Sequence, residues 1–246
     1  MRAPSLFAAL AFFFFAADAR AVRPFVTDDA RVVGKGHIQL ETWWRRDRGG
    51  LQHWAVAAVG PNDRTELSFG FVHGMAKPAD AKPAYSIAGP LIQGKFLVHE
   101  ALPNSWPGLA AIFGAVAPGG TGGFVSPGWT LFSYLSFTES LFREDGLLIH
   151  ANVGFAGSSV TNSRFSWGIG TEFHVYDPLH LVAEIYSGDP YIAGASGTTQ
   201  FGARFYFSDH LQLDLTGGVG LFADKREDVT PPFVGTGLRI VSHSLW

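Results

Sequence analysis

The alternation of apolar and polar residues over long stretches constrains the fold of this 246-residue chain more than any other feature. Leu67, Phe69 and Phe71 alternate with polar or small residues, and a similar run that begins at Phe165 and Trp167 continues to residue 175. A period of two places successive side chains on opposite faces of a β-strand. The sequence therefore predicts an all-β fold whose strands each have one apolar face and one polar or glycine-rich face.

The predicted strands are long, and their connections alternate between short and long. A tilted strand needs roughly 9–11 residues to cross a bilayer, whereas soluble strands have about five or six. Short turns such as 61–63 and 208–210 alternate with longer connections such as 74–85 and 119–127. This rhythm is typical of a transmembrane antiparallel β-barrel of about 12 strands, with both termini and the short turns in the periplasm. The predicted strands are 36–46, 51–60, 64–74, 86–99, 108–118, 128–138, 146–156, 164–176, 180–188, 198–208, 211–222 and 232–246.

The first 21 residues have the three parts of a secretory signal peptide. Arg2 precedes an apolar run from Leu6 to Ala17, and the sequence Ala19-Arg20-Ala21 resembles a cleavage site. The run is too short for a helix that spans a bilayer, which needs about 20 apolar residues. We therefore expect a cleaved signal peptide over 1–21, a periplasmic N-terminal segment over 22–35 and the barrel over 36–246.

Composition excludes several function classes. The chain has no Cys, which excludes disulfides, a thiol nucleophile and Cys-ligated metal, and its formal net charge of −3 does not favour nucleic-acid binding. Its nine His form no H-x-x-x-H pair. We predict no metal, no cofactor and no catalytic residue. The weak candidates for a barrel hydrolase are Ser242, His243, Ser244, Ser163 and Asn162.

Aromatic residues and the C-terminus favour the bacterial outer membrane. Trp43, Trp44, Trp54 and Trp129 lie near the predicted strand ends on the long-loop side, where indole rings favour the headgroup level. The last predicted strand ends in Trp246. This aromatic end resembles the C-terminal signal that outer-membrane barrels present to their assembly machinery. We therefore expect two partners, outer-membrane lipid and the barrel-assembly machinery.

The start of the mature chain resembles a known family. Arg23-Pro24, Thr27-Asp28-Asp29, Gly34-x-Gly36 and Gln39-x-Glu41 are similar to the opening of a family of bacterial outer-membrane barrels labelled for the meta-pathway of phenol degradation. That family is described as transporter-like. The resemblance implies an outer-membrane barrel and the passage of small hydrophobic or aromatic compounds. It implies no catalytic residues.

The inward face of the predicted barrel carries nearly all of the charge in the strands, because a charge on the lipid face costs about 2–4 kcal/mol at mid-depth. The inward polar residues are His37, Gln39, Glu41, Arg64, Glu66, Gln93, Lys95, His150, Glu172, His174, Glu184, Arg204, Asp214 and Arg239. Along five successive strands, the charges alternate in sign in the order Glu184, Arg204, Asp214, Arg239 and Glu41. We call these five residues, with Glu172 and His174, the charge ladder. Such a ladder braces the lumen or sets the selectivity of a pore.

These observations predict a channel or transporter-like barrel for the passive passage of small solutes, hydrophobic or aromatic ones among them. One alternative is a structural or adhesive barrel with a closed lumen and partner-binding loops. A second alternative is an outer-membrane enzyme, which needs a His–Ser or acidic pair at one lipid-facing patch. A soluble periplasmic β-sandwich would also alternate, but its strands would be shorter.

Overall fold

The computed structural model describes residues 26–77, 82–103, 105–126, 128–142, 146–158, 161–187, 197–222 and 229–246. The predicted signal peptide over 1–21 lies outside these residues. In the described part of the chain no helix is long and apolar enough to cross a membrane. The secondary structure consists of β-strands, as the alternation predicts.

Twelve of the strands have 9–16 residues, and one has only two. They are β1 (Ile38–Asp47), β2 (Gly50–Asn62), β3 (Thr65–Ala76), β4 (Ala84–His99), β5 (Gly108–Val116), β6 (Gly120–Thr121), β7 (Thr130–Leu141), β8 (Leu147–Ser158), β9 (Thr161–Tyr176), β10 (Leu179–Ser187), β11 (Gly197–Ser208), β12 (Leu211–Phe222) and β13 (Phe233–Val241).

The twelve long strands form one closed antiparallel barrel. Each pairs with the preceding and the following long strand, and β1 pairs with β13, which closes the sheet. The two-residue β6 adds to β4. The prediction of a twelve-stranded antiparallel barrel is confirmed. The observed strand ends lie within about three residues of the predicted ones, except that the last strand ends at Val241 and does not reach Trp246. Recognition of this end by the assembly machinery stays a prediction.

The two faces of the barrel wall have opposite character. Large apolar side chains such as Phe113, Phe201 and Val234 are 56%, 62% and 63% exposed on the outside. Polar side chains such as Gln39 and Asp214 are buried on the inside. The distribution of apolar and polar side chains is thus the reverse of that in a soluble protein. It suits a lipid environment, where the outer wall contacts acyl chains and the closed set of strand pairs leaves no unpaired strand edge.

The segment that precedes β1 lies inside the barrel. Residues 26–35, which we call the N-terminal segment, belong to the range 22–35 that the sequence analysis assigned to the periplasm. Gly34 and Gly36 have φ of 85° and 78°, and this left-handed backbone turns the chain from the segment into β1. Gly60 of β2 allows the close approach, because a Cβ at that position would lie 1.8 Å from the Gly34 carbonyl oxygen. The segment therefore fills part of the lumen.

Part of the connection between β5 and β7 also lies inward, although the sequence analysis placed 119–127 in an outer loop. Phe124 and Val125 pack against the inward side chains of Trp54, Val72 and Ala88. Ser86 fixes this arrangement, since its Oγ accepts the N–H of Phe124 at 2.9 Å and donates to a loop carbonyl at 3.0 Å. The lumen is therefore narrowed from the long-loop end as well.

Candidate functional site in the barrel lumen

The lumen has two chemically different walls. The wall formed by β9 to β13 and β1 carries most of the charge ladder, whose members are buried except for His174. The wall formed by β2 to β8 carries several large apolar side chains of the main buried cluster, together with the buried Glu66, Lys95 and His150. A solute in the lumen would therefore meet charge on both walls and the stacked rings of Phe132 and Tyr134 on the second.

Arg204 of β11 is the centre of the charged wall. It lies directly opposite Asp214 in the β11–β12 register, and its Nε donates to Asp214 Oδ1 at 2.7 Å. Its Nη1 donates to the Glu172 carboxylate of β9. Tyr206 OH donates to the other Glu172 oxygen at 3.0 Å. Gln212 donates to Asp214 Oδ2 at 2.6 Å. One guanidinium thus bridges two buried carboxylates, each of which has a further hydrogen-bond donor.

A second pair of opposite charges lies across the seam that closes the barrel. Glu41 of β1 and Arg239 of β13 are partners in the strand register. Gln39 connects them, since its Oε1 accepts from Arg239 Nε at 2.7 Å and its Nε2 donates to Glu41 Oε1 at 3.0 Å. The structure therefore brings together four of the five alternating residues as two pairs.

Glu184 does not pair with Arg204 in the way that the sign order implies. In the β10–β11 register Glu184 lies opposite Gln200, while Arg204 lies opposite His180. The Glu184 carboxylate instead accepts the backbone N–H groups of Val26 and Thr27 at 3.0 and 2.8 Å, together with the Gln200 amide. Its role in the structure is to hold the N-terminal segment.

His174 lies near the short-turn end of the lumen and away from the two pairs. Its ring stacks on that of His180 with centroids 4.6 Å apart, and its Nε2 lies 3.0 Å from Asp177. His180, which the sequence analysis did not select, contacts Glu172 at 2.8 Å. The histidine pair therefore adjoins the ladder through Glu172.

A further buried charge cluster was missed from the sequence because half of it comes from the N-terminal segment. Lys95 Nζ of β4 donates to Asp28 and Asp29 at 3.0 and 3.2 Å. Tyr134 OH donates to the other oxygen of Asp28 at 3.2 Å, and Ser136 Oγ donates to the Asp28 carbonyl at 2.6 Å. The Thr27-Asp28-Asp29 motif was the available signal, since it is part of the resemblance but has no strand periodicity.

The apolar wall is built from paired aromatic side chains. Trp43 and Trp54 stack with ring centroids 5.6 Å apart and planes 7° from parallel. Phe132 and Tyr134 stack at 6.2 Å, and Ile112 is fully buried in the same cluster. Stacked rings of this kind offer a flat apolar surface to another ring.

Most of the other predicted inward residues also lie in the lumen. These are Gln39, Glu66, Gln93, Lys95 and His150, which are buried. Glu66 accepts the N–H of Val33 at 3.0 Å, so it is a further anchor for the N-terminal segment. Arg64 instead is exposed in the turn between β2 and β3, and His37 lies at the start of β1 with Nδ1 2.8 Å from the Ser242 carbonyl. Among the described residues no cluster of three or more His, Asp or Glu could hold a metal ion.

The candidate hydrolase residues at the C-terminus have structural contacts. Ser242 Oγ accepts the N–H of Ile38 at 2.8 Å, and the His243 ring lies 4.1 Å from that of His210. Ser244 Oγ donates to the Trp246 carbonyl at 3.0 Å. The side chain of Asn162 lies outside the described residues. These contacts fix the chain end beside β1.

Comparison with known proteins gives a likeness of fold. No protein-family model and no curated protein sequence matches the chain. Its structure is similar to that of an outer membrane channel from Pseudomonas putida F1, with a TM-score of 0.60 and 12% identity over 87% of this chain and 98% of that one. A KdgM porin matches with a TM-score of 0.58 and 10% identity over 83% of this chain and 99% of that one. A NanC porin matches with a TM-score of 0.53 and 8% identity over 85% and 100%.

These matches and the lipid-facing exterior define the class to which the protein belongs. It is a closed β-barrel with an apolar exterior and the fold of outer-membrane channels and porins. The sequence identities of 8–12% limit the likeness to the fold, so what the lumen does must be argued from its own side chains.

Proposed function

We propose that the barrel is a passive channel for small hydrophobic or aromatic solutes. The observation that carries this proposal is that the lumen combines the buried charge ladder with two stacked aromatic pairs, Trp43–Trp54 on β1 and β2 and Phe132–Tyr134 on β7. An aromatic solute with a polar substituent could stack on one wall while the substituent faces the other. The sequence resemblance to a family labelled for phenol degradation supports the same solute class.

The charge ladder is proposed as the selectivity element of this path. Arg204, Asp214 and Glu172 lie within one hydrogen-bonded group, and fixed charges of both signs in a confined lumen disfavour small ions of either sign. A neutral or amphipathic solute would be less affected. The ladder would then favour uncharged solutes over salts.

The N-terminal segment is proposed as the part that closes the path. It crosses the lumen from Glu184 on β10 to Glu66 on β3, and its backbone is held by side chains of the wall. In this arrangement passage requires that the segment move. A channel of this design conducts weakly at rest and strongly after the segment leaves.

The alternative function is a closed structural or adhesive barrel. One observation favours it, namely that three large charged side chains of the lumen, Arg204, Arg239 and Lys95, are each 1% exposed. Such complete burial is typical of a filled interior. Conductance distinguishes the two functions, because a permanently filled barrel carries no current in a planar bilayer.

The test of the solute class is uptake into liposomes that contain the purified barrel. Benzyl alcohol and an aliphatic alcohol of similar size are compared with the wild type and with Trp54→Leu. Loss of one stacked ring should lower the ratio of aromatic to aliphatic uptake about two- to tenfold. Trp129→Leu is the matched control, because Trp129 is half exposed on the outer wall.

Two results would contradict the proposal. Absence of uptake and of conductance, even after the N-terminal segment is released, would favour the closed barrel. Equal uptake ratios for Trp54→Leu and Trp129→Leu would show that the aromatic wall does not select the solute.

A further inference from the structure

A cationic groove lies at the rim of the barrel, at its long-loop end. It has a volume of about 600 Å³, and its lining includes Arg46 and Arg48 from the β1–β2 hairpin and Lys77 at the end of β3. Pro232 and Val234 form its apolar side. The lining also includes Asp47 and Phe233. Among the described residues that line the groove, Asp47 is the one carboxylate.

The strand register and the alternation of side chains place Arg46 and Lys77 on the outer face of the barrel and not in the lumen. Arg46 pairs with Val234 of β13 and with Leu51 of β2, and Val234 is one of the most exposed apolar side chains of the outer wall. Lys77 continues the outward row of β3, and its N–H donates to the Gly49 carbonyl at 2.7 Å, so it lies beside the hairpin. Solute in the lumen would not meet these cations.

Asp47 does not neutralise the groove, because it already has partners. Its Oδ2 lies 3.6 Å from the Nε of Arg45, and its Oδ1 accepts the N–H of Gly49 at 2.7 Å. Arg45 itself points inward, where its guanidinium lies 4.0 Å from the centre of the Phe233 ring. Arg46, Arg48 and Lys77 therefore give the groove a net positive charge.

A row of polar rings lies directly below the groove on the same outer face. Trp44 stacks on His53 at 4.2 Å, and His53 Nδ1 lies 2.7 Å from His73 Nε2. Tyr85 OH lies 3.3 Å from His73 Nδ1. Such a hydrogen-bonded row is costly in hydrocarbon but favourable at the headgroup level, where aromatic belts form. The row therefore marks the membrane interface, with the cations just above it.

We propose that this groove binds the phosphate groups of lipopolysaccharide in the outer leaflet. Guanidinium groups form paired, charge-assisted hydrogen bonds with phosphate, and Arg46 and Arg48 present two of them at the edge of the membrane. The acyl chains would then run down the apolar wall past Val234 and Trp44. A phosphorylated lipid fits both parts of the site, whereas a free anion would use only the cations.

The test measures binding of purified bisphosphorylated lipid A to the folded barrel in detergent by native mass spectrometry. Arg46→Gln combined with Arg48→Gln removes two cations of the groove. The matched control is Lys35→Gln combined with Arg64→Gln, which removes two exposed cations at the short-turn end. We expect the groove variant to bind lipid A about tenfold more weakly or worse, and the control to stay within about twofold of the wild type. Heat-modifiable electrophoretic mobility checks folding, and the single variants Arg46→Gln and Arg48→Gln replace the double variant if it does not fold.

Three results would overturn the proposal. The first is equal weakening by the groove and control variants, which would indicate a general effect of charge. The second is equally tight binding of dephosphorylated lipid A. The third is binding of inorganic pyrophosphate as tight as that of lipid A, which would indicate a site for a free anion. A loss confined to the groove variant and to the phosphorylated lipid supports the site, whether or not the barrel conducts.

Discussion

Replacing Lys95 by Met should release the N-terminal segment from the lumen. Lys95 is 1% exposed, and its ammonium group contacts the carboxylates of Asp28 and Asp29, which are 5% and 2% exposed. Lys95→Met preserves the length of the side chain and removes the charge. Two carboxylates of the segment would then be buried beside Glu66 without the Lys95 ammonium group.

The magnitude follows from the burial. Removing one partner of a buried ion pair costs about 3–5 kcal/mol, because an uncompensated charge stays in a dry site. The hydrogen bonding between the twelve strands does not depend on this contact. The loss of free energy therefore destabilises the docked position of the N-terminal segment and not the barrel. Every 1.4 kcal/mol is about a factor of ten, so the docked population should fall relative to the released one by about two to three and a half orders of magnitude.

Thiol labelling measures the release directly. The chain has no Cys, and Val33 is completely buried, so a Val33→Cys variant reports one site. We expect this thiol to be protected in the wild-type background and labelled in Lys95→Met. Single-channel conductance should rise in the same variant. Lys35→Met is the matched control, since Lys35 is exposed at the rim.

A rescue variant separates release from general damage. Asp28→Asn and Asp29→Asn remove both carboxylate charges and preserve the side-chain shape, so adding them to Lys95→Met should restore part of the thiol protection. Full protection and unchanged conductance in Lys95→Met would refute the reasoning. If the Asn substitutions do not reduce the labelling of the thiol, the barrel wall itself would have lost its packing in Lys95→Met.

Two further predictions concern the ladder and the wall. Arg204→Ala leaves Glu172 and Asp214 buried without their shared cation, so it should lower the free energy of unfolding by about 3–5 kcal/mol and shift the reversal potential toward cation selectivity. Adding Asp214→Ala should recover part of the stability, and an unchanged unfolding temperature and reversal potential would show that the ladder has neither role. Phe201→Arg places a charge on the lipid face near the middle of β11 and should reduce folding into liposomes by about 2–4 kcal/mol, whereas Phe142→Arg, in an exposed turn, should fold normally. Equal folding yields would mean that the faces are wrongly assigned.

The strands and their faces were predictable because one local rule decides them. The period of two separates Phe201 on the outside from Gln200 on the inside without any knowledge of the neighbouring strands. The number of strands also follows from the sequence, since turn residues such as Asn62 and Asp209 mark the short connections. Both features depend on residues within about ten positions of each other.

The pairing of charged side chains in the lumen was less predictable because it depends on the stagger between neighbouring strands. The alternation of sign along successive strands predicts that Glu184 and Arg204 lie side by side at one depth. The strands of a closed barrel are sheared relative to each other, so equal counts from two turns do not give equal depth. In the observed register Glu184 lies opposite Gln200, four positions from Arg204 on β11. Arg204 instead forms its ion pairs with Asp214 and Glu172.

The N-terminal segment could not be placed from local pattern at all. Its contacts join residues far apart in the chain, such as Thr27 with Glu184 and Asp28 with Lys95, 157 and 67 positions away. It has neither strand alternation nor a long apolar run. From the sequence alone, the adjacent carboxylates of Asp28 and Asp29 would be assigned to a solvent-exposed position. Only the structure shows that the buried Lys95 faces them.

The same contacts explain how a segment that fills the lumen can still be displaced. The apolar side chains of each strand face lipid on the outer wall, so many side chains on the inner wall are polar. These buried polar side chains require hydrogen-bond partners. In the closed state Glu184 and Glu66 receive them from backbone N–H groups of the segment. Water can replace those donors in an open lumen, and the net difference per hydrogen bond is then only about 0.5–1.5 kcal/mol. A polar lumen thus allows a hydrated open state that an apolar core would forbid. The Lys95 cluster, where charge must be separated, is the contact whose loss should shift the balance most.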